Sequence, residues 1–146
     1  MTLEVRVMGG PDVAEWIRMR GGLFGGDPAL HETEVEEILS RADEDGLGAF
    51  VDDLPVGFAE VAVRAWADGC ETRPVGYLEA WFVAAEHRRT GIGRALIEAA
   101  AAWTRDRGLV EMGSDAEIDN DVSHAAHQAT GFAEVGRIVQ YARRVA

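Results

Sequence analysis

The stretch Tyr77–Trp103, YLEAWFVAAEHRRTGIGRALIEAAAAW, decides the fold, because within it the chain changes from one periodicity to another. Tyr77, Leu78, Trp81, Phe82 and Val83 form an apolar run that reads as a strand; basic and glycine residues follow, and then a long alanine-rich helix. The junction is built as a phosphate cradle. Arg88 and Arg89 precede Thr90, Gly91, Ile92 and Gly93, so that backbone N–H groups at a helix N-terminus and two guanidinium groups can face one anion. Glycine lets a ligand approach the backbone closely. The spacing is neither that of a P-loop, which needs GxxxxGK[ST], nor that of a dinucleotide fingerprint, since Gly91-Ile92-Gly93 lacks a third glycine. A basic turn of this kind can also be no more than a solvated loop.

Working outward, Leu47 to Val51 and Val56 to Val63 read as two strands around the turn Asp52-Asp53-Leu54-Pro55, a hairpin. The polar segment Arg64 to Pro74, RAWADGCETRP, separates it from the strand Val75 to Val83 and is long enough to line a site. Further upstream, Leu3, Val5 and Val7 alternate as a first strand. Asp12 is placed to cap a helix with Val13, Trp16, Ile17, Met19, Arg20 and Leu23 near one face, and Gly21-Gly22 and Gly25-Gly26 predict a loosened, aromatic-bearing loop after it. Asp27-Pro28 starts a second helix, with Val35, Ile38 and Leu39 as its stripe and Glu32, Glu34, Glu36 and Glu37 outward. Downstream of the cradle, Ile92, Leu96, Ala99, Ala100 and Trp103 recur at helical spacing, with Gly108 as the C-terminal stop. Leu109 to Met112 predicts a fifth strand ending in Gly113-Ser114-Asp115, Asp119 or Asn120 caps a helix to about Thr130, Gly131-Phe132 begins a return to strand, and Arg137 to Arg143 reads as a final strand. The order β-α-α-β-β-β-α-β-α-β-β implies an α/β (α+β) fold, a mixed sheet with helices on both faces.

The 146 residues fit one domain, 1–146. With 26 Asp and Glu against 14 Lys and Arg the net charge is −12, which argues against nucleic acid and anionic membrane surfaces and suits a cationic partner, although excess acid also serves solubility alone. Cys70 is the one cysteine, so no intramolecular disulfide can form. MTLEVRV shows no basic-then-apolar leader, and no apolar run reaches the length of a membrane span, so the expected location is cytoplasmic.

Arg88-Arg89-Thr90-Gly91-Ile92-Gly93 resembles the R/Q-x-x-G-x-G/A signature of the GNAT superfamily of N-acetyltransferases. The resemblance narrows with Gly57-Phe58-Ala59-Glu60-Val61, Asp68-Gly69-Cys70-Glu71-Thr72, Pro74-Val75-Gly76-Tyr77-Leu78-Glu79, Ser114-Asp115 and His127-Gln128-Ala129-Thr130-Gly131-Phe132, which are similar to aminoglycoside 6′-N-acetyltransferases. It implies a splayed, mostly antiparallel sheet, acetyl-CoA as cosubstrate with no metal, and transfer of acetyl to the 6′-amine of an aminoglycoside. The cofactor-binding residues it implies are Phe82, Val83, Arg88, Arg89, Thr90, Gly91, Ile92, Gly93, Arg94, Asn120 and His127. Backbone N–H groups of Trp81 to Val83 are the candidates for polarising the thioester carbonyl. Glu79 and Asp115 would line the drug site, enclosed by Trp66 and by Phe24, which replaces the family's usual tryptophan in a segment reading Leu23-Phe24-Gly25. An acidic residue that some members carry near Gly136 is absent, and Ala65 stands where an aspartate is common.

Chemically, Asp115 is the candidate base or proton relay; an aspartate is a weak base, so neighbouring acids or a water would have to help. Glu79 would orient the ammonium-rich sugar, and His127, standing where many relatives have a tyrosine, would protonate the leaving thiolate. Taken without the resemblance, Asp115 and Asn120 are ordinary turn and cap residues and Glu79 an exposed strand residue. The resemblance further implies a homodimer joined through C-terminal strands, for which Arg137 to Val145 supplies Ile138, Val139 and Tyr141. Two other functions use the same cradle: acetylation of another small polyamine or a protein amine, and non-catalytic acetyl-CoA binding.

Overall fold

Two left-handed residues start the sheet. Asp52 and Asp53 take φ of 49° and 68°, the conformation a two-residue hairpin turn needs to match strand twist, and they join β2 (Glu44–Val51) to β3 (Leu54–Arg64). In this computed structural model, which describes residues 2–146, β1 (Leu3–Val7) pairs with β2, β4 (Val75–Val83) with β3, and β5 (Met112–Ser114) with β4, giving the order β1-β2-β3-β4-β5. All pairings are antiparallel except β4 with β5. Between β3 and β4 the register jumps from Glu60↔Ala80 to Val61↔Leu78, so Glu79 is an extra residue without a partner on β3. Such a bulge re-aims a side chain, which is why Glu79 is exposed in the middle of an otherwise buried run.

Helices α1 (Val13–Phe24) and α2 (Pro28–Ser40) cover one face, where Trp16, Met19, Val35 and Ile38 pack with Met8, Phe50, Phe58 and Ala80. The other face carries α3 (Ile92–Asp106) through Ile92, Leu96, Ile97, Ala100 and Trp103. Contact there is close: a Cβ on Gly76 of β4 would lie 2.4 Å from Thr104 Oγ1. The Glu60 carboxylate is buried under α1, accepting from Trp16 Nε1 at 2.9 Å and from Arg20 Nε and Nη2 at 2.7 and 3.0 Å. Arg20 also bonds Glu34 and His31, so α1, α2 and β3 meet at one ionic node.

The described residues form two compact units, one ending at Asp115 and one spanning Ala116–Ala146. The second holds α4 (Asp121–Ala129), whose N-cap Asn120 accepts from Ser123 N at 3.1 Å.

Four expectations are corrected. Gly21-Gly22 do not loosen the chain: α1 continues to Phe24, because Gly22 seats the helix against Phe82, 3.1 Å from where its Cβ would be, and the helix ends only at Gly25 with φ +65°. Leu39 is exposed and Glu34 turns towards Arg20, while His31 joins Val35 and Ile38 as a buried residue of α2. The fifth strand begins at Met112, not Leu109, since its pairing with β4 starts at Gly76↔Met112. Phe132 and Arg137 to Arg143 form no strand in the single chain: a strand exists by pairing, and this segment belongs to no sheet among the described residues.

Candidate active site

The cradle is one continuous turn from β4 into α3. Past Val83 the chain makes a single 3₁₀ turn at Ala85–His87, and Thr90 Oγ1 donates back to His87 O at 2.5 Å. Arg89 and Gly91 are both left-handed, at φ +62° and +89°, and they bend the backbone from the 3₁₀ turn into α3. Gly91 is the N-cap of α3; Ala95 N is bonded to Gly91 O at 3.0 Å, so the N–H groups of the preceding turn lie outside the helical ladder. A Cβ on Gly91 would meet nothing within 4 Å, so the space is free for a ligand while the backbone angle favours glycine. Arg88 Nε is bound to Val83 O at 2.9 Å, which fixes the arginine at the rim. The Phe82 side chain packs partly buried against the core, with its ring centroid 5.8 Å from that of Phe58, and the residue pairs with Phe58 of β3. Among the described residues no group of three or more His, Cys, Asp or Glu side chains is arranged to hold a metal ion.

Glu79 and Asp115 come together through the parallel pairing. The last registered pair of β4 and β5 is Leu78↔Ser114, and each carboxylate is the next residue along its strand. β4 then runs on through Val83 beyond its pairing with β5, leaving that stretch of strand clear of β5 beside the two acids. Tyr77 O–H donates to Asp115 Oδ2 at 2.5 Å. Arg64 donates to Glu79 through Nε at 2.9 Å and Nη2 at 2.5 Å, and its Cζ stands 3.5 Å from the Tyr77 ring centroid. The chain Asp115, Tyr77, Arg64, Glu79 is therefore continuous. Burial, and then the bond to Asp115, push the Tyr77 hydroxyl well above the ordinary tyrosine range, so it remains a donor. The hydrogen bond to Glu79 raises Arg64 further above its already high value.

Glu79 also lines a cleft of about 330 Å³ with Glu34, Glu37, Glu44, Asp45 and Glu60, opposed by Arg20 and Arg41. Burial first, and repulsion from Glu79 and Asp43 in addition, push the Glu44 carboxyl above its ordinary value, although Arg41 pulls the other way. A cleft with this excess of acid favours a cation.

The Arg64 to Pro74 loop is tied down by Glu111, which accepts from Glu71 N at 2.9 Å, Thr72 N at 2.6 Å and Thr72 Oγ1 at 2.5 Å. Trp66 on this loop is 53% exposed, as a wall residue would be before its ligand arrives. Cys70 is held above the ordinary thiol range by burial and then by Glu111, which leaves it a poor nucleophile. Phe24 ends α1, also 53% exposed, with its ring 6.1 Å from His31 and 5.3 Å from Arg20 Cζ.

Asn120 and His127 lie in the second unit. His127 Nδ1 is 2.7 Å from Ser123 O, so in the neutral ring that nitrogen carries the proton, and the ring meets Phe132 edge-on at 5.1 Å. Two residues of the site escaped sequence reading. Tyr77 counted as a strand residue within the segment Pro74 to Glu79 and Arg64 as the start of a loop; the available signal was that they stand two residues before Glu79 and Trp66.

The profile of the Acetyltransferase (GNAT) family matches residues 12–132. An aminoglycoside N(6′)-acetyltransferase type 1 from Stenotrophomonas maltophilia is 41% identical over 134 residues, 89% of this chain and 86% of that protein. Among solved structures, the aminoglycoside antibiotic 6′-N-acetyltransferase AAC(6′)-IG from Acinetobacter haemolyticus superposes with TM-score 0.94 at 30% identity, over 98% of this chain and 99% of that one. AAC(6′)-Iy, solved with the bisubstrate analogue CoA-S-monomethyl-acetylneamine, superposes with TM-score 0.94 at 33% identity, over 99% of each chain.

Proposed function

The chain belongs to the acetyltransferase (GNAT) family, and from that premise we propose that it moves the acetyl group of acetyl-CoA to the 6′-amino group of aminoglycoside antibiotics, acting as an aminoglycoside 6′-N-acetyltransferase. The observation that carries the substrate reading is the adjacency of Glu79 and Asp115 one step past the last pair of β4 and β5, with Glu79 also lining an acidic cleft. A polycationic sugar is the ligand that such a surface suits, at roughly 1.5–3 kcal/mol for each well-made charge-assisted bond.

In this reading the pyrophosphate of acetyl-CoA rests on Arg88, Arg89, Thr90, Gly91, Ile92, Gly93 and Arg94, and its pantetheine arm follows the backbone of Phe82 and Val83, with Asn120 and His127 as further contacts. Trp66 and Phe24 wall the drug. The neutral 6′-amine attacks the thioester carbonyl carbon, whose oxygen takes up negative charge beside a β4 backbone N–H. The C–S bond then breaks, coenzyme A leaves as thiolate, and the proton lost by the amine passes to Asp115 directly or through water. Glu79 orients the substrate ammonium. His127 donates to the thiolate only when doubly protonated, since its neutral form holds its proton against its own helix.

We also propose that all 146 residues form one domain, that the protein is cytoplasmic and that it works as a homodimer. Among the described residues no helix is long and apolar enough to cross a membrane. A thiol-release assay with acetyl-CoA and, in parallel, kanamycin, a polyamine and a lysine peptide tests the reaction. Turnover is expected with kanamycin. Preference for the polyamine or the peptide would move the enzyme to another amine class, and no turnover with any would leave an acetyl-CoA-binding module.

A further inference from the structure

Resting on the reading of Glu79 and Asp115 as substrate carboxylates, we infer that Tyr77 and Arg64 are positioning residues that join these two anions into one preset unit. Asp115 stands just past the end of β5, where nothing in the strand pairing holds its side chain. The Tyr77 hydroxyl supplies that hold at 2.5 Å on Oδ2, leaving Oδ1 to the proton of the substrate amine. Glu79 is the bulge residue, without a partner on β3, and Arg64 steadies it with two parallel hydrogen bonds.

The two holds share one ring. Tyr77 is only 7% exposed; a Cβ on Gly113 would lie 3.2 Å from two of its ring carbons, and Arg64 Cζ lies 3.5 Å from its centroid. A shift of the ring moves the donor of Asp115 and the platform of Arg64 together. Charge points the same way. Two neighbouring carboxylates repel each other, and the Arg64 guanidinium, bonded to Glu79 and attracted also by Asp115, relieves the repulsion while leaving a net negative charge for the substrate. Phenylalanine at 77 keeps the ring and loses only the hydroxyl, so it isolates the hold on Asp115.

Steady-state kinetics with kanamycin, acetyl-CoA affinity by calorimetry and thermal midpoints are measured for Tyr77→Phe, Arg64→Met, Arg64→Lys, the double variant Tyr77→Phe/Arg64→Met, Gly113→Ala and Asp115→Asn. Tyr77→Phe is expected to lower kcat/KM roughly 10-fold to 100-fold with acetyl-CoA affinity unchanged. Arg64→Met raises KM, and Arg64→Lys restores only part of it, because lysine lacks the planar fork. The double variant loses less than the product of the single losses, since both undo one unit. Gly113→Ala, whose added methyl would lie 3.2 Å from the Tyr77 ring and 3.3 Å from Cys70 Sγ, is expected to lower kcat/KM in the same direction by pushing the ring.

A lower thermal midpoint for Tyr77→Phe with wild-type kcat/KM makes the residue merely structural and overturns the inference, as do independent, multiplicative effects of the Tyr77 and Arg64 changes. Asp115→Asn separates the two levels. If it is impaired while Tyr77→Phe is not, the positioning inference alone fails; if Asp115→Asn is itself unaffected, the reading of the site fails with it.

Discussion

At the scale of single residues, Gly91 and Glu79 carry opposite lessons. Gly91 was legible because its requirement is local: a left-handed N-cap between a basic turn and a helix needs glycine, and the structure gives it φ +89° with open space beside it. Gly91→Glu is expected to weaken acetyl-CoA binding at least 10-fold, through backbone strain and repulsion of the pyrophosphate, without unfolding the sheet. Calorimetry on the folded variant checks this, and unchanged affinity would remove the cradle from the cofactor site. The role proposed for Glu79 was legible only through family resemblance, and its bond to Arg64 was not legible at all, because the two residues are brought together by a strand pairing and a bulge. Glu79→Gln removes a ground-state contact to a cation, so KM for kanamycin should rise roughly 10-fold while kcat changes little. Salt should narrow the gap between variant and wild type, since it screens the attraction that the variant has already lost. A gap independent of ionic strength would point to shape, not charge.

Elements were legible wherever one face alternated or recurred. The β2–β3 hairpin announced itself through Asp52-Asp53, α3 through the spacing of Ile92, Leu96, Ala100 and Trp103, and α4 through the Asn120 cap. What stayed hidden was the joint between elements. Trp16 looked like plain core at helical spacing, yet its indole N–H donates to Glu60, and Arg20 of the same helix holds both oxygens of that carboxylate. A charged residue in the strand segment Gly57-Phe58-Ala59-Glu60-Val61 gives no hint in the sequence of which arginine, 40 residues earlier, will meet it. Glu60→Leu should therefore destabilise the fold by about 3–5 kcal/mol, since it leaves Arg20 buried without its main partner. Changing Arg20 and Glu60 together to apolar residues should cost less than Glu60→Leu alone. Urea midpoints settle the comparison; an unchanged midpoint for Glu60→Leu would mean that Glu34 alone satisfies the arginine.

For the whole molecule, the sheet and its helices could be read from the sequence, but the end of the chain could not, because a strand's existence depends on what pairs with it. The sequence pattern of Arg137 to Arg143 is that of a strand, and among the described residues it joins no sheet. Val135, Ile138, Val139, Tyr141 and Val145 are left 66–93% exposed, and large apolar side chains exposed together along one segment mark a surface for contact. The same segment is basic, with Arg137, Arg143 and Arg144 and no acid from Arg137 onward, while the chain as a whole has a net charge of −12. Apolar side chains flanked by arginines suit the acidic body of a second copy, and in the proposed homodimer each copy's segment would take its strand partner from the other. Light scattering at micromolar concentration should give twice the chain mass of 15.8 kDa. Removing residues 133–146 should give a monomer, and Ile138→Asp with Val139→Asp should shift the equilibrium the same way, because each buries a charge where the dimer needs an apolar contact. High salt should weaken the wild-type dimer only modestly, since its arginines are screened while its apolar contacts are not. A monomeric mass for the full chain at micromolar concentration would leave the exposed segment without its partner and defeat the dimer reading.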